Sequence, residues 1–189
     1  MLKLKMIITS TRPGRKGPAV AQPFFDIAAV HPGFETELVD LAEMDLPLLD
    51  EPHHPRLQQY TKEHTKRWSA LIDGADAFIF VLPEYNFSFP ATVKNALDYL
   101  AKEWSYKPVG FISYGGMSGG LRAVDVLLPV IRAFKMVALV EGVHIAGFPK
   151  HFNAEGKFIA DETMQKAMHT MLAELQRWAE ALKPLREKK

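Results

Sequence analysis

Runs of apolar residues alternate with amphipathic stretches from one end of the chain to the other. Residues 2–9 are rich in Leu, Met and Ile and predict a first, buried strand. A helix is predicted over 18–30, with Pro18 tolerated in its first turn because that turn has no intrahelical acceptor for an N–H. Over 34–41, Phe34, Thr36 and Leu38 alternate with Glu35 and Glu37, the two-residue period of a strand near a sheet edge. A loop over 47–55, with five prolines or histidines, leads to a predicted helix over 57–73 and a strongly apolar strand over 77–82. The second half repeats the rhythm: helix 91–104, strand 108–114, helix 120–134, strand 136–140 and helix 161–182. Met164, Ala167, Met168, Met171, Leu172, Leu175, Trp178, Ala179 and Leu182 recur at spacings of three and four, so one face of the last helix packs on a sheet and its methionines read as core filler. Pro129 should kink or break the helix that contains it, since it removes a hydrogen bond and crowds the preceding turn. Lys183 to Lys189 reads as a basic, solvated tail.

Five strands separated by helices define an α/β protein, because parallel strands need crossover connections that cover both faces of the sheet. With 189 residues, 48% of them apolar, and neither a repeat nor a low-complexity tract, a single doubly wound domain over 1–189 is expected. The 23 Lys and Arg nearly cancel the 22 Asp and Glu, which argues against nucleic acid as the main partner. No stretch approaches the roughly 20 apolar residues that cross a bilayer. Lysines interrupt the short apolar run at the start, unlike a signal peptide. A soluble protein is expected, with cytoplasm as the default compartment and no membrane partner. The absence of cysteine excludes disulfides, thiolate catalysis and Cys-ligated metals.

In open α/β sheets ligands bind beyond the carboxyl ends of the strands, so the residues just after each strand carry the chemistry. After the first strand, Thr9-Ser10-Thr11-Arg12-Pro13-Gly14-Arg15-Lys16-Gly17-Pro18 runs straight into a helix. Hydroxyls, guanidinium groups and glycines at a helix start suit a phosphate monoester. Neither a Walker A loop nor a dinucleotide Gly-x-Gly-x-x-Gly is present, and an ordinary solvated basic loop is the competing reading. After the third strand comes Pro83-Glu84-Tyr85-Asn86-Phe87-Ser88-Phe89-Pro90, where an aromatic beside an amide suits a flat heteroaromatic ring; Phe87 and Phe89 read as packing residues. After the fourth strand, Gly115, Gly116, Gly119 and Gly120 let a backbone approach a ligand closely. Each loop alone is weak evidence, whereas three at one end of one sheet are a stronger signal.

Taken in order, Ser10-x-Arg12 with Arg15 and Gly17, Pro83-Glu84-Tyr85-Asn86, Pro90, Lys94-Asn95-Ala96-Leu97-Asp98, and Tyr114-Gly115-Gly116 with Gly119-Gly120 resemble the NADPH-dependent FMN reductase family over about residues 2–150. This flavodoxin-like group includes quinone, chromate and azo-dye reductases. The resemblance implies a flavodoxin-like, doubly wound five-stranded parallel sheet of order 2-1-3-4-5 and non-covalent FMN. It implies that Ser10, Arg12, Arg15, Gly17 and Pro18 hold the phosphate. Pro83, Glu84, Tyr85 and Asn86 would lie along one side of the isoalloxazine, and Tyr114, Gly115 and Gly116 would contribute on another. Where the family commonly has Gly before the Ser, this chain has Thr9. The family also implies a homodimer, or a tetramer, often built on the helices after the third and fourth strands. A stripe of Val93, Ala96, Leu97, Leu100 and Trp104 is compatible with that, although such a stripe is core in most helices.

The reaction so implied takes a hydride from NADPH or NADH into FMN and passes electrons to a small-molecule acceptor such as a flavin or quinone. The cofactor does the hard chemistry, so no catalytic acid or base is named. No metal site is expected: His53 and His54 lack a helical His-Glu-x-x-His partner, and Asp50 and Glu51 beside them read as a solvated loop. His144 and His151 are placed after the fifth strand, most simply exposed. Two rivals stand: a flavodoxin-like carrier or FMN-binding regulatory protein without NAD(P)H turnover, and a phosphate- or nucleotide-binding protein without flavin. Carriers of this fold are often strongly acidic, which this chain is not.

Overall fold

A computed structural model describes residues 1–187; Lys188 and Lys189, the end of the expected basic tail, lie outside the described residues. One sheet organises the chain: β1 (Leu2–Ile8), β2 (Phe34–Asp40), β3 (Ala77–Pro83), β4 (Pro108–Tyr114) and β5 (Val137–Ile145), all parallel, in the order β2-β1-β3-β4-β5. Every residue of β3 is buried, with Ala77, Ile79 and Val81 facing one hydrophobic cluster and Phe78, Phe80 and Leu82 the other. That is why β3 reads as an unbroken apolar run, whereas the edge strand β2 reads as an alternation.

Among the described residues, six helices cover the two faces. On one, α1 (Gly17–Ala29) and α6 (Glu162–Glu187) pack through Val20, Phe24, Met168, Met171 and Leu175. Gly110 of β4 makes room there, since a Cβ would lie 2.5 Å from Met171 Sδ. The other face carries α3 (Glu63–Asp73), α4 (Ala91–Asp98), α5 (Leu121–Ala133) and the single turn α2 (Leu41–Met44). In the α6 stripe the methionines are buried as expected, while Trp178 is 42% exposed. Lys183 to Glu187 continue α6 rather than forming a loose tail, with Arg186 paired to Asp76 at 2.6 Å and bonded to the Tyr106 carbonyl.

Several boundaries differ from the sequence pattern, each for a local reason. The helix expected from 57 begins at Glu63, because Pro55–Leu57 closes a 3-10 turn and Gln58 then takes φ 54°. The helix expected to 104 ends at Asp98, and a 3-10 turn at Lys102–Trp104 follows; the stripe from Val93 to Trp104 nevertheless stays inside the second cluster. That stripe is core, not an exposed face. Strand β5 continues five residues past 140: a register shift opposite Val109 and Phe111 pushes Val140 out to 93% exposure, and Val143 and Ile145 then return to the core. Helix α5 runs through Pro129 without a break; Pro129 and Asp125, four residues earlier, are both exposed, so water can reach the carbonyl that loses its donor.

Candidate active site

The chain reverses direction across the sheet between β1 and β3, and the first loop opens at that switch point. Thr9 donates both its N–H (3.2 Å) and its hydroxyl (2.8 Å) to the Val81 carbonyl of β3, and the Thr92 hydroxyl donates to the Thr9 carbonyl. A residue with a side chain at position 9 therefore pins the loop to its neighbours. Ser10 is fully buried at the floor, where the Tyr114 hydroxyl donates to its Oγ at 3.5 Å. Gly17 closes over it: a Cβ there would lie 2.5 Å from Ser10 Oγ and 2.8 Å from Ile8 Cγ2. Pro18 occupies the first turn of α1, which contains no acidic residue and no side-chain cap. The amides of Thr11, Arg12, Lys16 and Gly17 have no acceptor among the described residues. Open amides, an uncompensated helix start and a cradle that a Cβ would fill suit a phosphate.

The two arginines of the loop separate. Arg12 is exposed, its guanidinium 5.9 Å from the centre of the Tyr85 ring, and so stands between the first loop and the loop after β3. Arg15 turns the other way. Its guanidinium forks onto Asp40 at the end of β2 with two bonds of 2.7 Å and also donates to the Ser10 carbonyl at 3.0 Å. Both side chains of the pair are more than four-fifths buried.

Beyond β3, Pro83 is buried in the strand's last position and Glu84 donates its N–H to the Tyr114 carbonyl at 3.0 Å. The Glu84 carboxylate accepts from the Ser118 hydroxyl and from Arg122 at 3.3 Å, so this side chain joins the second loop to the third. Burial pushes its carboxyl up, but the Ser118 and Arg122 donors outweigh burial and hold it below the ordinary value. Tyr85 and Ser88 exchange backbone hydrogen bonds of 2.8 and 2.9 Å around Asn86 (φ 49°) and Phe87 (φ 66°), a turn with both central residues left-handed. Asn tolerates that conformation; for an aromatic it costs about 1–2 kcal/mol. Phe87 is 66% exposed with the Arg122 guanidinium 4.3 Å over its ring, so it stands at the rim rather than packing inside. Phe89 does pack, half-buried against the second cluster.

The third loop is built on turns that only glycine fits. Gly120 takes φ 83°, and a Cβ there would lie 2.7 Å from the Tyr114 nitrogen. Gly115 donates to the Ile145 carbonyl at 3.3 Å, whereas Gly116 faces open space. Tyr114 lies beneath the first loop: its ring packs edge-on against Phe148 at 5.2 Å, and burial pushes its hydroxyl up to about 12. Under the third loop, the Ser113 hydroxyl donates to the Gly119 carbonyl at 2.7 Å and lies 2.8 Å from His144 Nδ1. His144 thus lies within β5, not after it, and is exposed as expected; partial desolvation lowers its pKa despite Asp125. His151 lies in a 3-10 turn at Phe148–His151, its ring 5.9 Å from that of Phe158. No cluster of His, Asp or Glu suited to a metal occurs among the described residues.

Asp40, Ser113, Ser118 and Arg122 complete this arrangement and were not singled out from the sequence. Ser113 and Ser118 lie beside the glycines of the third loop, whereas Asp40 fell inside the strand expected over 34–41 and carried no signal of its own.

A parallel sheet of this order, with a glycine-closed loop and a helix start at its switch point and two further loops beside it, defines a flavodoxin-like protein. The chain belongs to the NADPH-dependent FMN reductase family, whose model matches residues 2–150. An NAD(P)H-dependent FMN reductase of Schizosaccharomyces pombe is 43% identical over 120 residues, 62% of this chain and 60% of that protein; the match thus spans under two thirds of that relative's length. One from Nectria sp is 36% identical over 190 residues, 96% of this chain and 89% of the relative. Among solved structures, the flavoenzyme NAD(P)H:(acceptor) oxidoreductase from Paracoccus denitrificans shares the fold, with a TM-score of 0.72 at 22% identity over 96% of this chain and 98% of that one.

Proposed function

We propose that this chain is an NAD(P)H-dependent, FMN-containing oxidoreductase that passes electrons to a free flavin, a quinone or another small acceptor. The observation that carries the reading is the first loop: unpaired amides of Thr11, Arg12, Lys16 and Gly17 at the start of α1, packed on Ser10 so closely that only glycine fits at 17. FMN, when bound, supplies the redox chemistry, taking a hydride from NAD(P)H and giving up electrons to the acceptor. The chain's part is to hold and orient it. Ser10, Arg12, Gly17 and Pro18 form the cradle for the 5′-phosphate, with Arg12 the exposed guanidinium free to turn onto it and Arg15 fixing the loop from behind through Asp40 and the Ser10 carbonyl. Pro83, Glu84, Tyr85 and Asn86 make one wall for the ring, with the Glu84 side chain bracing that wall against Ser118 and Arg122. Gly115 and Gly116 let backbone approach the ring's polar edge, and Tyr114 closes the floor.

A homodimer in the cytoplasm completes the reading. Val93, Ala96, Leu97 and Leu100 are buried within the chain, so the dimer we propose would meet through outward residues such as Val126 of α5 and Val140 of β5, 46% and 93% exposed. No helix among the described residues is long and apolar enough to cross a membrane.

Quenching of FMN fluorescence by the purified apoprotein tests this reading. Arg12→Ala should weaken FMN binding by about 1.5–3 kcal/mol, the range for a hydrogen bond to a charged group. Unchanged affinity would place the phosphate elsewhere, and no quenching by the unmodified chain would sink the flavin reading.

A further inference from the structure

Arg15 and Asp40 have an arrangement that a direct phosphate ligand would not need. Arg15 spends the flat edge of its guanidinium on Asp40, with Nη1 and Nη2 each 2.7 Å from a carboxylate oxygen, and Nη1 also holds the Ser10 carbonyl at 3.0 Å. Asp40 Oδ1 accepts a further bond from the Ala42 amide at 2.9 Å, which starts α2. Asp40 lies level with Ile8, the last residue of β1, in the β1–β2 register. One fork therefore ties the first loop, the end of β2 and the start of α2 together, and its charge is internally neutralised.

We infer that Arg15 and Asp40 are a positioning pair: they hold the Ser10 carbonyl so that the loop amides and Arg12 meet the phosphate, and neither side chain touches it. This rests on the reading of the loop as the FMN phosphate site. The inference fixes the sign of one substitution against simple electrostatics. Asp40 places a carboxylate one guanidinium away from the loop, so a through-space effect alone would make Asp40→Asn bind a phosphate more tightly. A positioning role makes the same change bind it more weakly, because an amide cannot accept the Arg15 fork at both oxygens.

FMN and riboflavin, which carry the same ring with and without the phosphate, separate the cases by fluorescence titration of the apoprotein. Asp40→Asn should weaken FMN by about tenfold or more, in keeping with loss of charge-assisted bonds, and leave riboflavin within about twofold. Arg15→Lys keeps the charge but cannot fork, so it should lose FMN affinity to a similar extent. The double variant should be little worse than either single one, as for two halves of one interaction. Thermal melting of the apoproteins identifies any variant that fails to fold, and Arg15→Lys then stands in for Asp40→Asn. Tighter or unchanged FMN binding by Asp40→Asn overturns the inference, as does near-parental binding by Arg15→Lys, or an equal loss of FMN and riboflavin. In each of those cases the unmodified chain still binds FMN and the flavin reading survives. Failure of the unmodified chain to bind FMN removes both.

Discussion

A methyl group on residue 17 would lie 2.5 Å from Ser10 Oγ and 2.8 Å from Ile8 Cγ2, two side chains with almost no exposure. Neither can swing clear, so Gly17→Ala must either lift the start of α1 or push Ser10 into Tyr114. We expect it to cost about 1–3 kcal/mol of stability, the usual toll of overpacking, measured by urea unfolding of the apoprotein. A midpoint equal to that of the parent would mean that the loop gives way freely. The close packing of Gly17 on Ser10 could be anticipated from the sequence, because both lie in one short loop that runs from a strand straight into a helix. The opposite directions taken by Arg12 and Arg15 could not. They depend on the register that sets Asp40 beside Ile8 across the sheet, which local spacing does not encode. The contact between Ser113 and His144 was hidden for the same reason, since it forms across β4 and β5.

At the level of elements, the strongly periodic or wholly apolar segments were read closely, and the failures lie where a loop contact, a 3-10 turn or a bulge sets a boundary. The start of α3 is the clearest case. Glu51, in the loop after α2, accepts from the amides of Thr61 and Lys62 and from the Thr61 hydroxyl, capping the approach to α3 from ten residues away. It therefore belongs to the fold rather than to the solvated loop that the sequence suggested. Burial raises its carboxyl, but these donors outweigh burial and hold it at about 2 against an ordinary 4.5. A depressed pKa means that this stabilisation is present in full above about pH 4.5 and is lost as pH falls toward 2. Glu51→Gln should accordingly be less stable than the parent at neutral pH, with the gap narrowing across that acid window. Denaturant midpoints measured from pH 7 downward check this, and a gap that ignores pH would contradict it. The extension of β5 was missed because Glu141 and Gly142 interrupt its apolar run where the strand bulges.

For the molecule as a whole, the order of the strands brings three separately weak loops to one end of the sheet, and Glu84 and Tyr114 link them. The Glu84 side chain reaches from the second loop to Ser118 and Arg122, and the Tyr114 hydroxyl reaches from the third to Ser10 in the first. That convergence makes one site of the three loops, which we propose holds the phosphate and ring of FMN. What separates a reductase from an electron carrier of the same fold is whether a reduced nicotinamide can reach and reduce that flavin. The direct test is anaerobic rapid mixing of the FMN-loaded protein with NADPH and, separately, with NADH, following the flavin's visible absorbance. A reductase bleaches with at least one of them at a rate compatible with turnover, and colour returns when a quinone or free flavin is added. Bound flavin that stays oxidised with both donors would contradict the account.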